Sequence, residues 1–122
     1  MTKTVLIAED EPNIVESLTF LLERAGFLTI VATDGQQALE SALEQQPAVL
    51  VLDLMLPELD GYEVLRRLRA DPNGAKLPVL MLTAKGQRID RETAIECGAD
   101  LFMTKPFANA EITEAVTRLA AN

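Results

Sequence analysis

The sequence contains no histidine, no tryptophan, one tyrosine and one cysteine. The absence of histidine excludes imidazole-based acid–base catalysis and Ser-His-Asp triads, and it removes most zinc sites. A single cysteine, Cys97, excludes an internal disulfide and suits a reducing compartment such as the cytoplasm. These absences leave oxygen and amine groups as the chemistry-bearing side chains.

Long apolar runs are also missing, since the longest, residues 48–52, has only five residues. A membrane-spanning helix needs about 20 apolar residues, and the first run, residues 5–8, is too short for a signal peptide. Basic residues are few, because 11 Lys and Arg stand against 19 Asp and Glu, for a net charge of −8. We therefore expect a cytoplasmic segment that binds neither membranes nor nucleic acid directly.

The 122 residues, 48% hydrophobic and 25% charged, predict one globular domain. Five apolar runs alternate with segments of helical period, and we interpret these runs as strands at residues 5–8, 27–33, 48–52, 78–82 and 101–104. The first, third and fourth are apolar throughout, which is typical of strands buried on both faces of a parallel sheet. The second carries Thr29 and Thr33 on one face and is predicted to be a half-exposed edge strand. The pattern predicts a doubly wound α/β sandwich.

Capping residues mark the ends of the helices between the strands. Asp34 and Asp60 are each followed three residues later by Gln or Glu, which predicts two capping boxes, and Asn109 is predicted to cap the last helix. Pro12 suits the first turn of the first helix, and Gly26 suits its end.

Polar residues follow four of the apolar runs, at the edge where a doubly wound fold binds ligands. They are Glu9 and Asp10, then Asp53, then Thr83, then Lys105, and Ala84 and Pro106 follow the last two. Three carboxylates in one crevice repel each other, at a cost of about 4 kcal/mol for a pair 4 Å apart at a dielectric of 20. Because the nearby side-chain ligands are all oxygen, the sequence predicts a hard cation, Mg²⁺ or Mn²⁺, with Ca²⁺ less favoured.

These residues resemble the receiver domain of bacterial two-component response regulators. Five further strings in the same order carry the resemblance: Asp53-Leu-Met-Leu-Pro57, Asp60-Gly61, Thr83-Ala-Lys-Gly86, Gly98-Ala-Asp100 and Lys105-Pro-Phe107. The resemblance implies one receiver domain over residues 1–122. It also implies a flavodoxin-like three-layer sandwich with five helices and strand order 2-1-3-4-5.

The resemblance also implies a role for each matched position. Asp53 would accept a phosphoryl group, Asp10 would ligate the metal directly, and Glu9 would do so through water. The Asp53 carboxylate and the Met55 carbonyl would complete the ligands. The other implied roles are phosphoryl contacts from Thr83, Ala84 and Lys105, an inward-swinging aromatic switch at Phe102, and a cis bond before Pro106.

Partners follow from the same resemblance. A histidine kinase or histidine phosphotransfer protein would supply the phosphoryl group, docking near Ile14, Val15 and Leu18. A target of unknown identity, or an output domain, would read the face formed by the fourth strand, fourth helix and fifth strand. The protein would promote its own phosphorylation and dephosphorylation without being an enzyme in the ordinary sense. The sequence leaves open whether it is a stand-alone receiver or a piece of a longer regulator.

Three other functions remain open at this point. A phosphatase with an aspartyl intermediate would need a second acid where Met55 stands. A flavodoxin-like or nucleotide-binding module would need a glycine-rich first loop, and here that loop is acidic. A degenerate receiver that only docks to partners would not need the complete set of acidic residues.

Overall fold

The structure, a computed structural model, describes residues 2–84 and 88–121. Lys85 and Gly86 of the third string lie outside the described residues. Strands and helices alternate along the chain, in the order β1 Thr4–Ala8, α1 Pro12–Arg24, β2 Leu28–Ala32, α2 Gly35–Gln45, β3 Val49–Asp53, α3 Gly61–Arg69, β4 Val79–Thr83, α4 Arg88–Glu96, β5 Leu101–Thr104 and α5 Asn109–Ala120. Among these helices none has both the length and the apolar character needed to cross a membrane.

All strand pairs in the five-stranded sheet are parallel, and the strand order is β2-β1-β3-β4-β5. The predicted fold class and strand order are therefore confirmed. The order places β2 at an edge, where Leu28 and Val31 are exposed, so the prediction of an edge strand is also confirmed.

The two faces of the sheet bury alternate residues of each strand, because successive side chains of a strand point to opposite sides. One face packs against α2, α3 and α4, and its strand residues include Leu6, Leu50 and Met81. The other face packs against α1 and α5 and includes Ile7, Val51 and Leu80 from the same strands. Each fully buried leucine contributes about 2–3 kcal/mol of apolar burial, so the continuous apolar runs fix the three-layer sandwich.

The N-caps at Asp34 and Asp60 are confirmed, and the one predicted at Asn109 is wrong. The box predicted at Asp34 is not formed as expected, because the Gln37 side chain accepts from the N–H of Thr33 at 3.2 Å. The side chain of Asp34 accepts from the N–H of Gln37 at 2.8 Å, and that of Asp60 accepts from the N–H of Glu63 at 2.9 Å. The last helix begins one residue earlier than predicted, with Ala108 as its N-cap. There the Glu111 carboxylate accepts from the N–H of Ala108 at 3.3 Å, which ties the first turn of the helix to its N-cap.

Gly35 fixes the distance between α2 and the loop that follows β3. Its N–H donates to the carbonyl of Pro57 at 2.9 Å, and a Cβ at this position would lie 1.9 Å from the Leu59 carbonyl oxygen. A methyl group cannot fit without moving backbone, so Gly35→Ala should lower the free energy of unfolding by about 3 kcal/mol. Urea denaturation measures the loss. Gln36→Ala, an exposed change one residue later in the same helix, should stay within about 0.5 kcal/mol of the parent. Equal stability of the two variants would contradict the close contact.

Candidate functional site

The site lies at the carboxyl edge of the sheet. Asp53 and Thr83 are the last residues of β3 and β4, and Glu9 and Lys105 directly follow β1 and β5. Backbone hydrogen bonds continue the pairing of the strands to this edge. The Glu9 N–H donates to the Ala32 carbonyl at 3.0 Å, and the Lys105 N–H donates to the Thr83 carbonyl at 2.7 Å. The rigid sheet therefore fixes the positions from which these side chains project.

Three carboxylates meet there. One oxygen each of Glu9, Asp10 and Asp53 lies within 4.8 Å of the other two. Glu9 is 2% exposed and Asp53 is 4% exposed, whereas Asp10 is exposed to solvent. Burying two acids side by side is costly unless cations compensate them. All three offer oxygen, so the cluster could hold a hard divalent cation with one side open to water and ligand.

Lys105 supplies one compensating cation. Its Nζ lies 2.6 Å from Glu9 Oε1 and 3.5 Å from Asp53 Oδ2, and its side chain is 15% exposed. Within the described ranges, 2–84 and 88–121, the ammonium of Lys105 does not by itself neutralise three carboxylates, which favours a second cation at the site.

Glu9 is held from two sides. Its Oε2 accepts from the backbone N–H groups of Asp10 at 3.1 Å and Glu11 at 3.2 Å, while Oε1 accepts from Lys105. Burial raises the pKa of the Glu9 carboxyl above its ordinary value, the Lys105 ammonium opposes that rise, and the neighbouring Asp53 carboxyl adds to it.

The loop after β3 shapes the surroundings of Asp53. Asp53 Oδ1 accepts from the N–H of Met55 at 3.2 Å, which orients the carboxylate. Gly61 packs against this loop, because its N–H donates to the Leu54 carbonyl at 2.8 Å and a Cβ there would lie 2.8 Å from the Asp53 carbonyl oxygen. The sequence singled out Gly61 only as part of a string, and its packing role comes from the structure.

The other residues singled out by the sequence follow from the same strands, β4 and β5. Thr83 is fully buried, Ala84 follows it and is exposed, and the Lys105–Pro106 peptide bond is cis. Phe102 lies three residues before Lys105 and packs in the core on the face of α2, α3 and α4.

Phe102 points inward in this structure. It is 6% exposed, and the guanidinium of Arg91 in α4 lies 5.3 Å from the centre of its ring. That distance is within the range of a cation–π contact. No sequence signal pointed to Arg91 as the partner of Phe102.

A cavity of about 480 Å³ opens beside Lys105. It is lined by residues of α1, including Ile14 and Ser17, and by Lys105 and Phe107. Leu18, which the sequence placed on the same docking surface as Ile14, is fully buried, so that part of the prediction is wrong. Leu18 lies on the face of α1 that packs against the sheet.

Comparisons with known proteins agree with this geometry. The sequence profile of the response regulator receiver domain matches residues 5–117. The alkaline phosphatase synthesis transcriptional regulatory protein PhoP of Bacillus subtilis is 45% identical over 116 residues, which are 95% of this chain and 48% of that protein. The chain spans about half the length of the curated relatives it matches.

Solved structures give the same picture. The receiver domain of a Francisella response regulator is 32% identical, with a TM-score of 0.92 and 98% of each chain covered. The receiver domain of a sensor histidine kinase from Pseudomonas aeruginosa is also 32% identical, with a TM-score of 0.92 and both chains covered completely. That second structure has a magnesium ion coordinated in its active-site cleft.

Proposed function

This chain belongs to the response regulator receiver domain family, and on that premise we propose that it is a phosphorylation-dependent switch with Asp53 as the phosphoryl acceptor. One observation supports the proposal best. The buried Asp53 carboxylate lies beside two further carboxylates and 3.5 Å from the Lys105 ammonium. We extend the receiver domain over the whole of residues 1–122.

In the proposed reaction, an Asp53 carboxylate oxygen attacks the phosphorus of a phosphohistidine on a donor protein. An O–P bond forms to Asp53 while the P–N bond breaks, and the histidine nitrogen leaves with the electron pair of that bond. The Lys105 ammonium stabilises the charge on the phosphoryl oxygens, and Thr83 and the Ala84 N–H donate hydrogen bonds to them. Water then cleaves the same O–P bond, which releases inorganic phosphate and returns the Asp53 carboxylate to its resting state. In this proposal the protein promotes both steps.

The donor set fits Mg²⁺ or Mn²⁺ as the cofactor, because every side-chain ligand is a carboxylate oxygen. Asp10 would ligate the ion directly and Glu9 would do so through water. The Asp53 carboxylate and the Met55 carbonyl would complete the protein ligands. When bound, the ion supplies positive charge to the phosphoryl oxygens and offsets the repulsion among the carboxylates.

Phosphorylation adds a charge of about −2 close to Thr83 and Lys105. To drive a two-state equilibrium from 1:99 to 99:1, the new contacts must favour the active state by about 5.5 kcal/mol. Phe102 is the proposed switch residue, and because its ring is already buried here, phosphorylation would stabilise this inward position. The face of β4, α4 and β5 would then change its affinity for a target.

The proposed phosphoryl donor is a histidine kinase or a histidine phosphotransfer protein in the cytoplasm. The cavity beside Lys105, lined in part by Ile14 and Ser17 of α1, gives a donor side chain a route towards the site. The downstream target is an output domain or a separate protein. Direct binding of this segment to nucleic acid or membrane is not part of the proposal.

The other functions have less support. A phosphatase would need an acid at Met55, whose side chain is 56% exposed and carries no proton-transfer group. The first loop is acidic, which disfavours direct binding of a nucleotide phosphate. A purely docking receiver leaves the clustered Glu9, Asp10 and Asp53 unexplained.

Acetyl phosphate and Mg²⁺ test the proposal without a partner. The parent protein should gain one phosphoryl group on the peptide that contains Asp53, and EDTA should prevent the gain. Asp10→Asn should weaken Mg²⁺ binding by about 100-fold, because it removes a charged ligand, and should slow labelling accordingly. Mass spectrometry and a Mg²⁺ titration followed by NMR measure the two effects. Glu40→Gln changes the same charge on an exposed face of α2 and should behave as the parent. Labelling that persists in EDTA would exclude the metal-dependent reaction.

A further inference from the structure

The ring of Phe102 has a charged partner on the neighbouring helix. The guanidinium carbon of Arg91 lies over the face of the ring, 5.3 Å from its centre. Cations attract aromatic rings within about 6 Å of the ring centre, so this contact falls inside that range. The proposed switch residue is therefore held by a specific side chain of α4 as well as by apolar packing.

The packing of α4 explains how Arg91 reaches the ring. Ala94, three residues later on the same side of the helix, is fully buried in the core cluster that contains Phe102. Arg91 is itself exposed, so it projects from the border between the buried and the solvated sides of α4. The apolar stem of an arginine can lie along an apolar surface while its guanidinium stays in water. Arg91 therefore covers Phe102 without burying its charge.

A second pair of the same kind shows why the burial of the ring matters. In α1 the guanidinium carbon of Arg24 lies 5.8 Å from the centre of the Phe20 ring, but that ring is 51% exposed. Phe102 is only 6% exposed. A cation–π contact is stronger where water is excluded from the ring, so the contact of Arg91 should be the stronger of the two.

We propose that Arg91 is a positioning residue that holds the Phe102 ring inward before phosphorylation and thereby sets the resting bias of the switch. The inference rests on the proposed function, since it adds a residue that controls the ring that phosphorylation would stabilise. Outward rotation of the ring would break the contact with the guanidinium. A contact of this kind changes the equilibrium between the inward and outward positions by about two- to fivefold.

This bias affects how much the phosphoryl group has to do. An interaction that favours the inward ring at rest raises the fraction of protein already in the active arrangement. The contacts made by the phosphoryl group then need to supply less free energy to complete the change. Arg91 would thus tune both the resting output and the response to phosphorylation.

NMR of the Phe102 side chain, in unphosphorylated protein with EDTA, tests the proposal. Three-bond couplings about χ1 identify the main position of the ring, and ¹³C relaxation dispersion measures the minor outward population. Arg91→Gln removes the charge and should raise the outward population about two- to fivefold. Arg91→Lys keeps the charge without the planar guanidinium and should fall between Arg91→Gln and the parent. Arg24→Gln, the matched change at the other pair, should leave Phe102 unchanged. An outward population no larger in Arg91→Gln than in the parent would overturn the proposal.

A stability measurement separates positioning of the ring from a merely structural role. Because Arg91 is exposed, Arg91→Gln should change the unfolding equilibrium constant in urea by no more than about fivefold, the value of the contact itself. A larger loss of stability with an unchanged position of Phe102 would mean that Arg91 supports the fold and not the switch.

This inference and the proposed function can fail separately. Mg²⁺ with beryllofluoride, a phosphoryl mimic, should lower the outward population of Phe102 in the parent and in Arg91→Gln alike. An effect of Arg91 at rest without any response to the mimic would keep the positioning role and remove the phosphorylation-dependent switch. A normal response to the mimic, with no effect of Arg91 at rest, would do the reverse.

Discussion

Asp53→Asn is expected to abolish phosphoryl incorporation while leaving the fold intact. The amide has the shape of the carboxylate but no anionic oxygen that can attack phosphorus. Its carbonyl oxygen can still accept from the Met55 N–H, the contact that orients Asp53 in the parent at 3.2 Å. The local structure therefore has a reason to persist when the chemistry is lost.

The same substitution should not lower stability, because it removes one of three clustered negative charges. The lost contact with Lys105 is the longer one, at 3.5 Å, and Glu9 keeps that ammonium paired. We expect the free energy of unfolding to stay within about 1 kcal/mol of the parent, or to rise, since relief of repulsion offsets the lost ion pair.

Labelling with acetyl phosphate and Mg²⁺, read as intact mass, measures the first effect, and urea denaturation measures the second. Glu44→Gln, an exposed acid of α2, makes the matching change of charge and should be labelled like the parent. If Asp53→Asn gains a phosphoryl group as fast as the parent, Asp53 is not the acceptor.

The fold could be predicted from the sequence because its signals are repeated and independent. Runs such as residues 49–52 are apolar at every position, and a strand covered on both faces buries them all. The helices between them were marked by period and by caps at Asp34 and Asp60. The one cap that failed, Asn109, shows that a signal of one residue is weaker than a repeated one, since the helix begins at Asn109 itself and Ala108 is its N-cap.

The location of the site could also be predicted, because parallel strands bring their carboxyl ends to one edge whatever the details of packing. Glu9, Asp10, Asp53 and Lys105 meet there. Which acid holds Lys105 could not be predicted, because that choice depends on side-chain length and on backbone N–H groups about 3 Å away. Such distances are set only when the loops after β1 and β5 pack together.

Arg69 shows where sequence reasoning fails more plainly. Arg66, Arg67 and Arg69 all lie at the end of α3, and the sequence suggests a solvated helix face for all three. Arg66 and Arg67 are more than half exposed and pair with Glu63 on the surface, as expected. Arg69 is only 19% exposed, because the loop before β4 and the loop after α4 close around it.

The Arg69 guanidinium joins three parts of the chain. It donates to the carbonyl oxygens of Gly98, Gly74 and Leu77 at 2.7 to 3.1 Å and to Asp100 Oδ2 at 3.1 Å. Asp100 Oδ2 also accepts from the N–H of Val79 at 2.8 Å, so the cluster ties the start of β4 to the loop before β5. Gly98 leaves room for it, since a Cβ there would lie 2.8 Å from Arg69 Nε.

Arg69→Ala should therefore lower the free energy of unfolding by about 3 kcal/mol, because several acceptors lose a charged donor at once. Arg69→Lys should recover part of this loss, since one ammonium can reach some of the acceptors but cannot reproduce the planar fork of five N–H groups. Arg66→Ala is the matched control in the same helix, and its exposed ion pair should contribute less than about 1 kcal/mol. Urea denaturation of the three variants orders them. A loss of stability for Arg69→Ala no larger than that for Arg66→Ala would mean that water replaces the guanidinium at no cost. The cluster would then contribute nothing to holding β4 and β5 in the register that forms the site.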